Sequence, residues 1–339
     1  MSYAALRDRL PSLAADSSTR VVTLPDGSVD YCYRVAGAGG DRLETPEALG
    51  RRLRAGEGET FPIELIDVRP GGQAVNAATQ VHALGDDATA VGHLDHEALA
   101  DLPYGTHSMG PPAAIRVFAF DGEEVLFPER ASQPSDWDVD DLTAVVDWDR
   151  IATADALCCA NWAIYRGLTD VLDRLAGSVD GVPVVVDPGA IELVAGTDLE
   201  PLLESLARAD SSLDVALSVN RIEYESVAAV AGVPGEPATD HAAELRSALR
   251  ITGVVYHGAD EAIAATRDDA VSVEMLDIGD PTLTLGAGDR FSGALACALA
   301  RDWPWKPALA LGNACAATFV ETGQTADIEA LETRLADRR

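Results

Sequence analysis

Gly286, Ala287, Gly288 and Asp289 stand in a row, and apolar residues behind them (Phe291, Ala294, Leu295, Ala298, Leu299) recur at the spacing of one helix face. Three small residues let main-chain N–H groups converge on a phosphate-sized anion. A helix N-terminus behind them adds its positive dipole end. Asp289 lies at the junction, placed to take a proton from a hydroxyl that attacks the same anion. Phosphoryl transfer is the chemistry this arrangement serves. The plainer alternative makes Asp289 a helix N-cap, which leaves the glycine pair without a purpose.

Three further clusters carry polar groups. Gly71 and Gly72 let a polar ligand approach the backbone, and Asn76 lies one turn into the helix that follows and ends near Leu84-Gly85. Asn76 is either a hydroxyl ligand or a solvent-facing residue of a glycine-rich turn. Asp26-Gly27-Ser28-Val29-Asp30 reads as an Asx turn or as a carboxylate, Asp30, that accepts bonds from substrate hydroxyls. Asn220-Arg221-Ile222-Glu223 has the spacing of a capping box. Alternatively, Asn220 and Glu223 stand at the carboxyl end of a strand and organise Mg²⁺-bound water and phosphate. Gly37-Ala38-Gly39-Gly40 lacks the spacing and helix of a dinucleotide loop. No Gly-x-x-x-x-Gly-Lys-Ser/Thr loop occurs, and the six histidines form no metal-binding pattern.

The elements that must position these residues alternate. Core strands are expected at residues 20–24, 89–92, 156–159, 182–186, 215–219 and 253–256, with helices near 167–175, 199–209, 223–230 and 242–249 between them. That rhythm predicts an α/β fold with a mainly parallel doubly wound sheet, whose ligands gather at the strands' carboxyl ends. Strands at 31–36, 61–68 and a hairpin over 113–120 and 123–127, turned at Asp121-Gly122, are too polar for such a sheet. They predict a second small sheet, with a short helix near 46–54 between its strands and another helix in residues 1–19. The 61–68 run alternates apolar and polar residues, as a half-exposed strand does.

The chain has 339 residues, 56 acidic and 25 basic, a formal net charge of −31. Lys306 is the single lysine. Such a surface repels nucleic acid and anionic lipid and fits a salt-rich cytoplasm, where a Debye length of about 3 Å screens self-repulsion. Five cysteines without metal-ligand spacing predict buried thiols in a reducing compartment. No apolar run of about 18 residues suggests a membrane span or a signal-peptide core. A soluble cytoplasmic protein is expected.

Together and in this order, Gly71-Gly72 with Asn76, Asn220 with Glu223, and Gly286-Ala287-Gly288-Asp289 resemble the ribokinase-type (PfkB) carbohydrate kinase family. The resemblance runs from about residue 21 to 330. It implies one ribokinase-like αβα sandwich over 1–339 with a β-sheet lid inserted within about 28–40, 60–69 and 112–128. It also implies ATP and Mg²⁺ as cofactors, Asp289 as the base and the Gly286, Ala287 and Gly288 amides as the anion hole. Substrate contacts are implied for Asp30, Gly71, Gly72 and Asn76. Asn220 and Glu223 would serve the Mg²⁺–phosphate region, with Glu223 acting on the metal through water. Gly258 would line the nucleotide phosphates and Asn313 would flank the adenine. Two positions depart from the pattern. Leu283 stands where many members carry an aspartate that helps bind a monovalent cation, so K⁺ dependence stays open, and Tyr256 replaces a threonine near the nucleotide.

Arg69, Arg116 and Arg166 fall near the expected cleft. Arginines kept there by so acidic a chain favour a phosphorylated pentose such as ribose 1-phosphate, against the alternative of ordinary surface ion pairs. A nucleoside kinase, with Trp162 or Phe118 stacking on the base, is the second reading. Free ribose or a ketosugar acid is the third. A sugar or nucleotide sensor on the same fold and a dinucleotide oxidoreductase are the readings outside kinase chemistry. A half-polar lid also predicts a lid-to-lid homodimer.

Overall fold

The computed structural model describes residues 2–15, 18–37, 40–56, 60–129, 137–279 and 281–336. Ala38 and Gly39, within the expected lid boundary and the dismissed glycine loop, lie outside the described residues. Thirteen strands form two sheets: β1 Arg20–Leu24, β2 Ser28–Val35, β3 Ile63–Gly71, β4 Asp87–Gly92, β5 Gly105–Ser108, β6 Ala113–Ala119, β7 Glu124–Pro128, β8 Ala156–Ala160, β9 Pro183–Asp187, β10 Asp214–Val219, β11 Gly253–His257, β12 Glu261–Thr266 and β13 Ala270–Glu274. The large sheet has the order β13-β12-β11-β10-β9-β8-β1-β4-β5. It is parallel from β11 to β5 and antiparallel at β12 and β13.

Side chains of successive strand residues point to opposite faces, and the two cores divide accordingly. Cys158 and Val185 pack on one face with the helices Gln73–Ala83, Ala287–Leu299 and Trp305–Thr322. Cys159 and Val186 pack on the other with Leu168–Ala176, Arg221–Val230 and Thr239–Leu249. The N-terminal segment forms two short helices rather than one, Ser2–Arg7 and Leu10–Ala15, whose Leu6, Leu10 and Leu13 seal the first face. All five cysteines are buried and unpaired. Among the described residues no helix is long and apolar enough to cross a membrane.

The small sheet has the order β3-β2-β6-β7 and contains the expected hairpin, closed by Phe120 N–H donating to Glu123 O at 2.8 Å. Its strand β3 corrects the expectation of half-exposure. Ile63, Leu65, Ile66 and Val68 are all exposed, so neither face of this strand is covered. The alternation marked a strand correctly but named no buried side, because β3 is a sheet edge reaching past the main body.

One contact sets the position of the late helix. A Cβ on Gly293 would lie 2.6 Å from the Ala77 carbonyl oxygen, so Ala287–Leu299 crosses Gln73–Ala83 with backbone against backbone. Gly293→Ala should force the helices apart and lower unfolding stability by about 1–3 kcal/mol, measurable by urea denaturation. Unchanged stability would show that the crossing has slack.

Candidate functional site

Strands β1, β8, β9, β10 and β11 deliver polar residues to one edge of the large sheet, where the strand order reverses between β1 and β8. At that switch Asp26, just beyond β1, accepts from the Gln73 and Ala74 amides at 2.9 and 2.6 Å and from Asn161 Nδ2 at 3.0 Å. Asp26 therefore caps the helix that carries Asn76. Asn161 holds its amide there with a left-handed backbone, φ 56°, which asparagine tolerates better than most residues. Burial raises the Asp26 carboxyl, and these three donors oppose the rise.

Asp289 is not the N-cap of its helix. That position belongs to Gly286, at φ 86°, and Asp289 is the third helical residue. Its Oδ2 accepts from Asn76 Nδ2 at 2.7 Å, so the early and late glycine motifs meet. Ala287 N–H donates to Thr284 O at 3.2 Å. The cradle expected from the 286–288 amides is thereby narrowed, since Ala287 already has a partner while Gly286 and Gly288 have no backbone acceptor among the described residues. Burial pushes the Asp289 carboxyl above its ordinary value, and Asn76 lowers it in part.

A carboxylate that the sequence reading missed completes the centre. Asp187, the last residue of β9, accepts from Gln73 Nε2 at 2.8 Å, Ser292 Oγ at 3.1 Å and Gly189 N–H at 3.4 Å. Burial first, then the charge of Asp289, pushes it up to about 7. Glu223 is buried as well, and desolvation followed by the charge of Asp187 pushes it up to about 9. The capping box at Asn220 is real: Asn220 Oδ1 accepts from Ile222 and Glu223 N–H, and Glu223 Oε2 accepts from Asn220 N–H. Structural and ligand-facing readings of this motif are therefore compatible. Among the described residues no three His, Cys, Asp or Glu side chains group to hold a metal directly. Acids raised by burial and by one another's charge suit a cation that arrives with its own water and phosphate ligands.

The small sheet brings Asp30 over this edge. Asp30 accepts from Ser28 Oγ at 2.8 Å, is raised by burial, and lies against Gly71, where a Cβ would stand 2.5 Å from its carboxylate oxygens. Asp30, Gly71, Gly72 and Asn76 thus share one wall. The arginines behave differently. Arg69 pairs with Glu124 at 3.1 Å, Arg116 pairs with Glu129 at 2.5 Å and covers the Tyr31 ring, and Arg166 lies over Trp162 and reaches Asp198 O at 3.5 Å. Trp162 is 2 % exposed, which removes it as a base-stacking surface. Phe118 packs between Tyr33 and Phe127. Gly258 lies under the Tyr256 hydroxyl, and Asn313 is fully enclosed with its amide on Val273 O at 3.1 Å.

A carboxylate, a glycine turn at a helix N-terminus and a polar wall under a small sheet now face one another. A family model described as prokaryotic ketohexokinase matches residues 7–338. The chain belongs to that family. It is a carbohydrate kinase of the PfkB type, a phosphotransferase with an alcohol group as acceptor. A curated relative named ketohexokinase, from Haloferax volcanii, is 27% identical over 308 residues, covering 84% of this chain and 80% of that protein. The kinase shares its fold with a ribokinase from Thermotoga maritima, TM-score 0.71 at 17% identity, over 94% of this chain and all of that one. An Arabidopsis thaliana ribokinase complexed with ribose and ATP gives a TM-score of 0.65 at 18% identity, over 94% and 99% of the two chains.

Asp187, Gln73 and Ser292 went unnoticed in the sequence although Asp187 ends an apolar β-run, a position that signals a strand's carboxyl end. The ligand-free kinase should become less stable as pH rises from about 4 to 7. Within that window the folded state holds the Asp187 proton that the unfolded chain releases, at about 1.4 kcal/mol per pH unit. Asp187→Asn should reduce this slope in thermal melts, with the raised Glu223 carboxyl keeping part of it, and a slope unchanged in the variant would remove Asp187 as a source.

Proposed function

We propose that this kinase transfers the γ-phosphoryl of ATP to a hydroxyl of a free ketohexose, with Asp289 as general base. The observation that carries the reading is the Asn76–Asp289 contact beneath the Gly286 turn. It supports the reading because a raised carboxyl, suited to a base, lies beside the amides that would receive the transferring group. The sugar hydroxyl is held by Asp30 and Asn76 and gives its proton to the Asp289 carboxylate. Amides at the helix N-terminus stabilise charge on the phosphoryl oxygens. Glu223 and Asp187 would hold Mg²⁺ through water, and the ion would supply charge neutralisation on the phosphates. The small sheet closes over the sugar and excludes water, which limits ATP hydrolysis.

Neutral sugar is favoured over sugar phosphate because Arg69, Arg116 and Arg166 are each already engaged within the protein. This moves ribose 1-phosphate, the first expectation, behind a ketohexose, the substrate class in the names of the family and of the Haloferax relative. A nucleoside ranks lower still, with Trp162 buried. We also infer a homodimer joined through the lid. Ile63, Leu65, Ile66, Val68, Leu126 and Phe127 form an exposed apolar set on one small sheet, and an open edge strand invites pairing.

An ADP-release assay with ATP and Mg²⁺ in high KCl tests the substrate. D-fructose should exceed ribose, pentose phosphates and nucleosides in kcat/KM, and a higher value for ribose 1-phosphate would reverse the ranking. Asp289→Asn should lower kcat by about 10²–10⁴. A variant with undiminished turnover excludes Asp289 as the base. Sedimentation should give twice the chain mass for wild type and a single chain for Leu65→Glu; a monomeric wild type ends the dimer reading.

A further inference from the structure

Arg290 follows Asp289 and is 8 % exposed, and its guanidinium is folded back under the turn it follows. Nη1 donates to Gly286 O at 2.9 Å, Nε donates to Thr325 Oγ1 at 3.1 Å, and the group lies over the Phe319 ring at 3.6 Å from its centroid. A Cβ on Gly286 would stand 2.7 Å from Nη1, so the guanidinium fills the space directly beneath the turn. Among the described residues no carboxylate makes a salt bridge with it. A buried cation without an ion-pair partner is costly. The ring face and two oxygens recover part of that cost. The charge that remains faces Asp289 and the turn.

We propose that Arg290 is a positioning residue: a cation built into the chain that ties the Gly286 turn to the Thr325 loop, keeps Asp289 ionised, and makes turnover independent of a dissolved monovalent cation. The inference rests on Asp289 as base and the Gly286–Gly288 turn as phosphate cradle. The Gly286 carbonyl accepts from two donors, since Arg290 N–H also reaches it at 3.3 Å. Both bonds fix the plane of the peptide that follows Gly286, and with it the direction of the Ala287 amide and the start of the helix. Leu283, on the chain leading into the turn, offers no carboxylate that would draw in an ion from solution. The ionisable groups facing Arg290 are Asp289 on its own helix, Arg69 on β3, Tyr104 and Cys315. Those facing Asp289 are Asp26, Asp30, Cys158, Asp187, Glu223 and Arg290. Of these, Arg290 is the one that favours the ionised base by its charge.

The test uses the full chain with ATP, Mg²⁺ and D-fructose. Wild-type rates in KCl, NaCl and tetramethylammonium chloride at equal ionic strength should agree within about threefold, whereas a larger requirement for K⁺ overturns the proposal. Arg290→Met should lower kcat about 100-fold, leave the sugar KM within about threefold, and move the acid limb of the pH–rate profile upward. Arg290→Lys should recover at least about a tenth of the rate. Wild-type kcat and pH profile in the methionine variant overturn the proposal. Where that variant does not fold, Thr325→Val, which removes one hydrogen-bond acceptor, decides: a lower kcat at unchanged sugar KM supports it, and an unchanged kcat overturns it. Asp289→Asn run alongside separates the two readings. Activity retained there refutes the base, whereas activity lost there and kept in Arg290→Met refutes this inference alone.

Discussion

The crossing of two helices at Gly293 is the constraint on which the site depends. Asn76 and Asp289 are 213 positions apart in the chain, and each is fixed by its own helix. Their side chains are short, so a 2.7 Å contact demands that the two backbones nearly touch. Glycine at 293 permits this, and Asp26 locks the partner helix from the other end by capping its first amides. A longer side chain at 293 would be accommodated by a shift that the Asp289 carboxylate would feel directly. Packing and chemistry meet here in the absence of one Cβ atom.

The same compactness creates an electrostatic problem. Asp26, Asp187, Glu223 and Asp289 all terminate on one sheet edge, and burial raises each of them. Like charges in a low-dielectric space cannot all ionise, so the ligand-free centre keeps some of its acids protonated. A cation brought in with phosphate would relieve that repulsion and release protons as it bound. The centre is thereby held ready for a charged ligand at some cost to its own stability. Arg290, on the far side of the turn, supplies positive charge that does not dissociate.

Much of this was legible in the sequence because strand and helix alternate and because glycine before a helix has few uses. The core strands β1, β4, β8, β9, β10 and β11 carry mainly apolar runs, and their positions match within one or two residues. The polar edge strand β5, Gly105–Ser108, and the alanine-rich β12, Glu261–Thr266, were not among the expected strands. Asp30, Asn76 and Asp289 were singled out because each sits near a glycine signal. Asp187 and Gln73 were missed because what makes them matter is long-range. Gln73 gains its role by bonding a residue 114 positions away, which no local spacing encodes. The partners of the arginines escaped local spacing for the same reason: Glu124, which pairs with Arg69 of β3, lies on β7 at the other edge of the small sheet, and Glu129, which pairs with Arg116 of β6, follows β7.

The net charge of −31 describes the outer surface and says little about the cleft. Exposed acids are screened within a few ångströms at high salt, whereas the charges that matter for transfer lie in partly buried pairs and clusters that salt does not reach. Arg69 with Glu124 and Arg290 beneath Gly286 keep their geometry because their partners are fixed by strand pairing and by the helix. A chain with a single lysine has placed the bidentate, always-charged guanidinium at these points. It follows that surface charge and site charge were free to diverge. An acidic exterior encloses a cleft whose cations are few, internal and already oriented.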